Sequence, residues 1–345
     1  MRILQVLNSR VYSGAENVVC QIIRMFREDP GVEIAYCSPY GEKLAEILAR
    51  EGVRYFPISK LTPGELKRVL REFQPDLIHA HDMRAGFVAA LCCGRISLIS
   101  HVHNNAYDAR GLSPKSVAFL LAGFRARHIF WVSQSSFAGY RFHRLFEKKS
   151  SVLFNIIDRD RVLARRDEDK NEYAYDTVFI GRLTYQKNPQ RLVTLCRLAR
   201  QRKPDFRMAV VGTGELEAEV KALAAQTGAD AGMDFLGFRS NPMKLLSCSR
   251  SMILPSRWEG TPMCALEAMV LGVPVVSTPT DGLVDLIADG VTGFLSDSDE
   301  VLAEKLVQLA EDPTLRRTIS ENAARRAAEI NDTAAYKKAI AAYYD

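Results

Sequence analysis

The chain has 345 residues, long enough for two compact domains, and its 47% hydrophobic and 25% charged content is that of a globular enzyme. No apolar run reaches the roughly 18–20 residues of a membrane-spanning helix, and Met1–Leu7 lacks the long apolar region and small-residue cleavage site of a secretion signal. The net charge of +5 is unevenly shared: residues 1–170 hold 26 Lys and Arg against 18 Asp and Glu, so an anionic partner is expected for the first half alone. Seven cysteines without CxxC spacing read as reduced thiols of a cytoplasmic protein and give no disulfide frame or zinc site.

Short apolar runs alternate with helical patterns along the chain, the signature of βαβ units and parallel sheets. Strands are expected at Ile3–Leu7, Glu33–Cys37, Val53–Phe56, Leu77–Ala80, Ser97–Val102, Ile129–Val132 and Val152–Phe154. Helices begin between them near Ala15, Glu42, Pro63, Arg84, Pro114 and Ser135. The polar stretch 164–176, without apolar periodicity, reads as a linker. A second series has strands at Thr177–Ile180, Arg207–Val211, Met233–Leu236, Met252–Leu254, Val273–Ser277 and Gly293–Leu295, with helices from Asn188, Glu215, Asn241, Pro262 and Leu283. Three more helices close the chain, near 299–311, 313–329 and 333–344. The expected domains are 1–163, a linker at 164–176, 177–330, and a C-terminal helix at 331–345 that packs back on the first. The fold class is α/β: two doubly wound, Rossmann-like domains facing across a cleft, with ligands beyond the strands' carboxyl ends.

The post-strand loops carry the chemistry. After Met252–Leu254 comes Ser256-Arg257-Trp258-Glu259-Gly260, with Thr261 as a good N-cap and Pro262 suited to the first helical position. The helix N-terminus makes an anion site. Glu259 stands just before it, and Glu267 lies about one and a half turns inside, where a carboxylate can accept both hydroxyls of a ribose. One anion flanked by two hydroxyl-bearing groups describes a sugar nucleotide; a capping Glu259 and a solvated Glu267 would be the plain alternative. FIGRLTYQKN, residues 179–188, places Arg182 and Lys187 at a strand end, cations that fit a diphosphate or else an ordinary surface. VVGTGE, residues 210–215, lacks the third glycine of a dinucleotide fingerprint, so Gly212 reads equally well as a tight turn. In SRVYSGAENVV, Gly14 and Ala15 open a helix that another molecule could approach closely. His79 and His81, then His101 and His103, form two His-x-His pairs at strand ends, but no carboxylate or cysteine completes a metal set. His103, followed by Asn104, is the better placed to touch a substrate; His79 reads as a buried, satisfied histidine.

Together these residues resemble the retaining glycosyltransferases of the GT-B fold, family 4 (glycosyl transferases group 1). The most specific match is the Glu-x7-Glu spacing of Glu259 and Glu267. GRLTYQK, SGAENVV, SHVHN, LFNIID and DGLVDLIADGVTGFL match further family segments, with Ser13, Ile156 and Asp285 as departures. The resemblance implies a metal-independent hexosyltransferase without a cofactor. It would move a sugar from a nucleoside-diphosphate sugar, expected to be a UDP-sugar, to a glycan or lipid-linked acceptor in surface polysaccharide, lipopolysaccharide or glycolipid synthesis. It implies a donor-binding set of Gly14, Ala15, Gly181, Arg182, Lys187, Gly212, Phe238, Glu259, Gly260, Thr261, Pro262, Met263 and Glu267. His103, Glu259, Arg182 and Lys187 would be catalytic, His103 and Asn104 would meet the acceptor, and no residue would hold a metal. A sugar-nucleotide epimerase of the same fold, an NAD-dependent oxidoreductase and a non-catalytic nucleotide-binding protein are the competing readings. Nucleic acid is not an expected partner. Residues 113–150 interleave basic and aromatic side chains, which suggests docking on anionic lipid at the inner face of the cytoplasmic membrane. Those aromatics would otherwise fill the core.

Overall fold

The computed structural model describes residues 1–103 and 109–344, which divide into two compact units, Met1–Asn155 with Thr333–Asp345, and Ile156–Asp332. The first holds strands β1 (Arg2–Val6), β2 (Glu33–Pro39), β3 (Arg54–Ile58), β4 (Leu77–Ala80), β5 (Ser97–Val102), β6 (His128–Trp131) and β7 (Ser150–Val152). Its helices are α1 (Gly14–Phe26), α2 (Glu42–Arg50), α3 (Pro63–Phe73), α4 (Met83–Cys92), α5 (Pro114–Arg125) and α6 (Gln134–Gly139). The sheet is parallel, in the order β3-β2-β1-β4-β5-β6-β7, with order reversing between β1 and β4. Strands covered on both faces must be largely apolar, which is why β1 and β4 read as near-continuous buried runs, interrupted by Gln5 and His79. At the reversal, Asp82 caps α4 by accepting from Ala85 N (2.7 Å) and takes Asn8 N (2.8 Å) with its other oxygen, tying the loop after β1 to that after β4.

The second unit opens with α7 (Arg159–Glu168) and continues with β8 (Thr177–Ile180), α8 (Pro189–Arg202), β9 (Met208–Val211), α9 (Glu217–Thr227), β10 (Met233–Gly237), α10 (Met243–Cys248) and β11 (Met252–Leu254). It ends with α11 (Met263–Val270), β12 (Val275–Ser277), α12 (Asp281–Val284), β13 (Gly293–Leu295), α13 (Asp299–Glu311) and α14 (Pro313–Ile330). The sheet order β10-β9-β8-β11-β12-β13 repeats the same plan, with its reversal between β8 and β11. A last helix, α15 (Thr333–Ala341), returns to the first unit, as expected for 331–345. There Lys337 pairs with Asp29 (2.6 Å), the Tyr344 ring lies 4.8 Å from Phe26, and Tyr343 stacks on His128 at 3.7 Å. Among the described residues no helix is long and apolar enough to cross a membrane.

Two expectations need correction. The stretch 164–176 is not a linker: α7 runs into it to Glu168, and the chain passes between units at Asn155/Ile156. Asp158 caps α7 at Arg161 N (3.0 Å), and Asn241 holds its end by donating to Arg165 O (2.7 Å) and Glu168 Oε2 (2.9 Å). Only Val162 is buried, so the helix leaves no apolar period to read. Asn331 closes the base of the unit, accepting from Ile157 N at 2.7 Å. The second correction concerns the helix expected from near Ser135: α6 is short, stopping at Gly139, and a 3-10 turn follows at His143–Lys149.

Backbone crowding beyond the second sheet demands glycine, most sharply at two points. A Cβ on Gly212 (φ +136°) would overlap the Gly181 carbonyl oxygen, and one on Gly282 would overlap that of Gly260. Gly228 also has a positive φ (+69°) but opens on empty space. Gly212→Ala and Gly282→Ala should each cost about 2–4 kcal/mol in urea unfolding, against roughly 1 kcal/mol for Gly228→Ala. Equal losses for Gly212→Ala and Gly228→Ala would show that the loop contact is not tight.

Candidate active site

At the β8/β11 reversal two loops are sewn together. Arg257 N donates to Gln186 O (2.8 Å) and Gln186 Nε2 to Trp258 O (3.0 Å). The Arg257 guanidinium lies 4.3 Å over the Tyr185 ring and donates to Tyr185 O and Asn188 Oδ1. This zipper sets Lys187 against Glu259: Nζ donates to Oε1 at 2.5 Å, and Ser256 Oγ donates to the same oxygen at 2.5 Å. Both side chains are almost buried, at 13% and 5% exposure. Burial works against the Lys187 charge, but Glu259 and the hydrogen bond outweigh it and hold the ammonium above its ordinary pKa. Arg182, exposed and close enough to oppose that charge, makes no side-chain hydrogen bond or ion pair among the described residues.

Glu267 lies in the second turn of α11 and is 9% exposed. Among the described residues nothing donates to its carboxylate, and burial pushes its pKa from 4.5 to about 7, Arg165 partly opposing. A buried carboxylate without a donor is costly unless a ligand supplies one. Cys264, whose thiol burial raises to about 12, sits within the field of Lys187, Glu259 and Glu267, so these side chains form one cluster. The helix itself starts one residue later than expected: Pro262, at ψ 118°, is the N-cap and its carbonyl accepts from Ala265 N (3.1 Å), so Thr261 lies outside the cap and Met263 is the first helical residue. Gly260, Thr261, Pro262 and Met263 are buried, Gly181 and Gly212 line the loops after β8 and β9, and Phe238, 42% exposed, follows the kink where β10 ends.

In the first unit, Gly14 and Ala15 form the open start of α1, with Gly14 exposed. Glu16 holds that start, accepting from Ser13 N (2.8 Å) and Ser13 Oγ (2.6 Å) while buried. The two His-x-His pairs, separate in sequence, meet in one stack. His101 and His103 lie 4.1 Å apart, His79 and His81 4.2 Å, and His79 and His101 5.5 Å. Burial lowers all four pKa values, those of His79 and His103 to about 3, so the stack is neutral at pH 7. His79 is not fully satisfied: Nδ1 meets the Tyr344 hydroxyl (2.9 Å), but Nε2 and both nitrogens of His101 have no partner among the described residues. Ring nitrogens of His79, His81 and His101 come within 4.8 Å, a grouping that the spacing had not suggested. Both His81 nitrogens are engaged in hydrogen bonds, to His103 and to Gln5. Asn104 lies outside the described residues. Arg165, Gln5 and Tyr344 carried no signal in sequence, because each joins its cluster only through the fold, whereas Ser256 and Cys264 lie within the stretch that holds Glu259 and Glu267.

Two family models match the chain: Glycosyltransferase Family 4 over residues 12–161 and Glycosyl transferases group 1 over residues 160–326. An uncharacterized glycosyltransferase of Methanocaldococcus jannaschii is 28% identical over 65% of this chain and 60% of its own length. An Escherichia coli UDP-Gal:alpha-D-GlcNAc-diphosphoundecaprenol alpha-1,3-galactosyltransferase is 25% identical over 72% of this chain and 70% of its own. The chain covers less than two thirds of the length of the first curated relatives it matches, from 25% to 60%. The structure of Anabaena HepE in complex with UDP-glucose superposes with a TM-score of 0.85 at 22% identity, covering 99% of this chain and 98% of that one. With both halves of the chain matched by adjoining models and its two doubly wound units reproduced in that neighbour, the chain belongs to the group 1 glycosyltransferases of the GT-B fold.

Proposed function

We propose that the chain is a retaining, metal-independent hexosyltransferase. It moves a sugar from a UDP-sugar to a glycan or lipid-linked acceptor in surface polysaccharide or glycolipid synthesis. One observation carries the donor reading: the buried Glu267 carboxylate, without a donor among the described residues, in one cluster with the Lys187–Glu259 pair at the β8/β11 reversal. Two ribose hydroxyls would satisfy Glu267, and Arg182 and Lys187 would take the diphosphate. As the glycosidic bond to phosphate breaks, the anomeric carbon gains oxocarbenium character and negative charge grows on the leaving diphosphate. Lys187, fixed by Glu259, and Arg182 are cations set in advance for that charge. The first unit takes the acceptor side, with His103 as its substrate-contacting residue. Incubation with a panel of nucleotide sugars and candidate acceptors tests this: free nucleoside diphosphate with a transferred sugar of unchanged anomeric configuration is expected. Epimer formation, or no turnover, would favour the competing readings.

The Glu267 charge has a signed pH dependence. With its pKa raised from 4.5 to about 7 in the folded state, the folded chain keeps a proton that the unfolded chain has lost, so stability falls as pH rises across that window. Ribose hydroxyls prefer the ionised carboxylate, so UDP-glucose, whose phosphates do not titrate there, should bind more tightly at pH 8 than at pH 6. Glu267→Gln should flatten that profile, weaken binding by about 2–4 kcal/mol, and raise the Tm of the free protein at pH 8. A wild-type Kd in the variant, measured by calorimetry, would remove the ribose role.

Breaking the Lys187–Glu259 pair from either side strands a charge. Lys187→Ala should lose about 3 kcal/mol of stability together with nucleotide affinity. Lys187→Met with Glu259→Leu should recover the stability and stay inactive. Recovery of turnover in the double variant would show that neither charge serves the reaction.

The lipid-linked acceptor brings in the basic segment. Phe119, Tyr140 and Phe146 fill the core, but Leu112, Val117, Phe124 and Leu145 are exposed, as are Arg141, Arg144 and Lys148. Lys149, expected to meet lipid, instead donates to Ala126 O (2.8 Å) and Phe124 O (3.2 Å) at the end of α5. Each exposed cation near anionic lipid is worth about 1 kcal/mol. Co-sedimentation with liposomes containing anionic lipid should fall with salt and when Arg141, Arg144 and Lys148 are replaced by Gln. Equal recovery in the supernatant with neutral and anionic vesicles at low salt would point to a soluble acceptor.

A further inference from the structure

One chain of hydrogen bonds in the first unit runs from the site histidine to the far end of the sequence. His103 Nε2 meets His81 Nδ1 at 2.9 Å, and His81 Nε2 meets Gln5 Oε1 at 2.5 Å. Gln5 Nε2 donates to the Tyr344 hydroxyl at 3.0 Å, and that hydroxyl meets His79 Nδ1 at 2.9 Å. Gln5, His79, His81 and Tyr344 are all buried.

The donors along this chain determine one another. The Gln5 amide oxygen can only accept, so His81 carries its proton on Nε2 and presents a lone pair at Nδ1. His103 must then donate from Nε2, which leaves its Nδ1 as an acceptor, and the Asn155 side chain is a further hydrogen-bond partner of the ring. At the other end the Tyr344 oxygen accepts from Gln5 and its proton goes to His79 Nδ1. Reversing the direction would require the amide, the hydroxyl and three imidazoles to turn over together, so the chain is all-or-none and the way round of the Gln5 amide goes with the place of the His103 proton. Without the hydroxyl, nothing holds the Gln5 amide one way round, and its NH2 group could face His81 instead. His81 would then donate to His103, and the His103 proton would move to Nδ1.

We propose that Tyr344 is a positioning residue for His103: through Gln5 and His81 it decides which nitrogen of the His103 ring carries the proton and how the ring is held. The proposal rests on the reading of His103 as a substrate-contacting residue, but the proton's place can be observed without turnover.

The test uses the full chain labelled with 15N-histidine, where nitrogen shifts and two-bond couplings report each tautomer and His103→Gln identifies the His103 signals. The wild type should show His103 protonated on Nε2 alone. Tyr344→Phe keeps the ring against Phe26 and should give a mixture of the two tautomers, as should Gln5→Leu. In both variants kcat should fall roughly tenfold while the donor KM changes by less than about twofold, the mark of a misplaced group rather than lost binding. Lys337→Ala, which breaks the Asp29 ion pair on the same helix, serves as the control and should lower Tm without moving the His103 proton. An unchanged His103 tautomer in both Tyr344→Phe and Gln5→Leu overturns the proposal, as does an equal tautomer change in the control. A tautomer change in a protein that transfers no sugar leaves the positioning role standing and removes the transferase reading instead.

Discussion

Everything at the candidate site follows from the demand that a parallel sheet be covered on both faces. Each crossover must return over one face or the other, so a sheet that starts at its middle strand winds outward in both directions. In this chain that happens twice, at β1/β4 and at β8/β11. Where winding changes side, neighbouring post-strand loops diverge and no crossover fills the gap. Asp82 and Asn8 meet at the first such point, Lys187 and Glu259 at the second. The chemistry is therefore carried by loops, but the loops are held by the most deeply buried strands.

The second unit spends stability at this point and recovers it around the rim. Glu267 is buried without a donor among the described residues, and Lys187 and Glu259 are desolvated as a pair. The zipper of Arg257, Gln186 and Trp258 and the crowded backbones at Gly181–Gly212 and Gly260–Gly282 offset that cost with contacts that leave the loops little freedom. A preorganised site works in this way, because groups that cannot relax need no reorganisation when charge develops.

Much of this was legible in the amino-acid order, for identifiable reasons. Strands buried on both faces are continuous apolar runs, so β1, β4, β8 and β11 could be placed within a residue or two. The eight-residue separation of Glu259 and Glu267 reports a helix start directly, since a loop, a proline and a helix lie between them. α7 was not legible, because Asp158, Asn241 and a single apolar anchor build it in place of an apolar stripe. Nor was the histidine stack. Each His-x-His pair shows only that two rings share a strand face, while the meeting of both pairs with Gln5 and Tyr344 depends on sheet order and on a helix returning over hundreds of residues.

That return has a consequence for synthesis on the ribosome. The second unit is contiguous, and all it needs to close its core is present once residue 332 has emerged. The first unit begins earlier and finishes later: Gln5 and His79 meet Tyr344 across 339 and 265 residues of chain. Its seven strands can pair early, yet the buried polar groups of β1 and β4 stay without their tyrosine until translation has passed the whole of the other unit. The order of completion is thus the reverse of the order of emergence, and the unit whose strands emerge first is the later of the two to become finished protein.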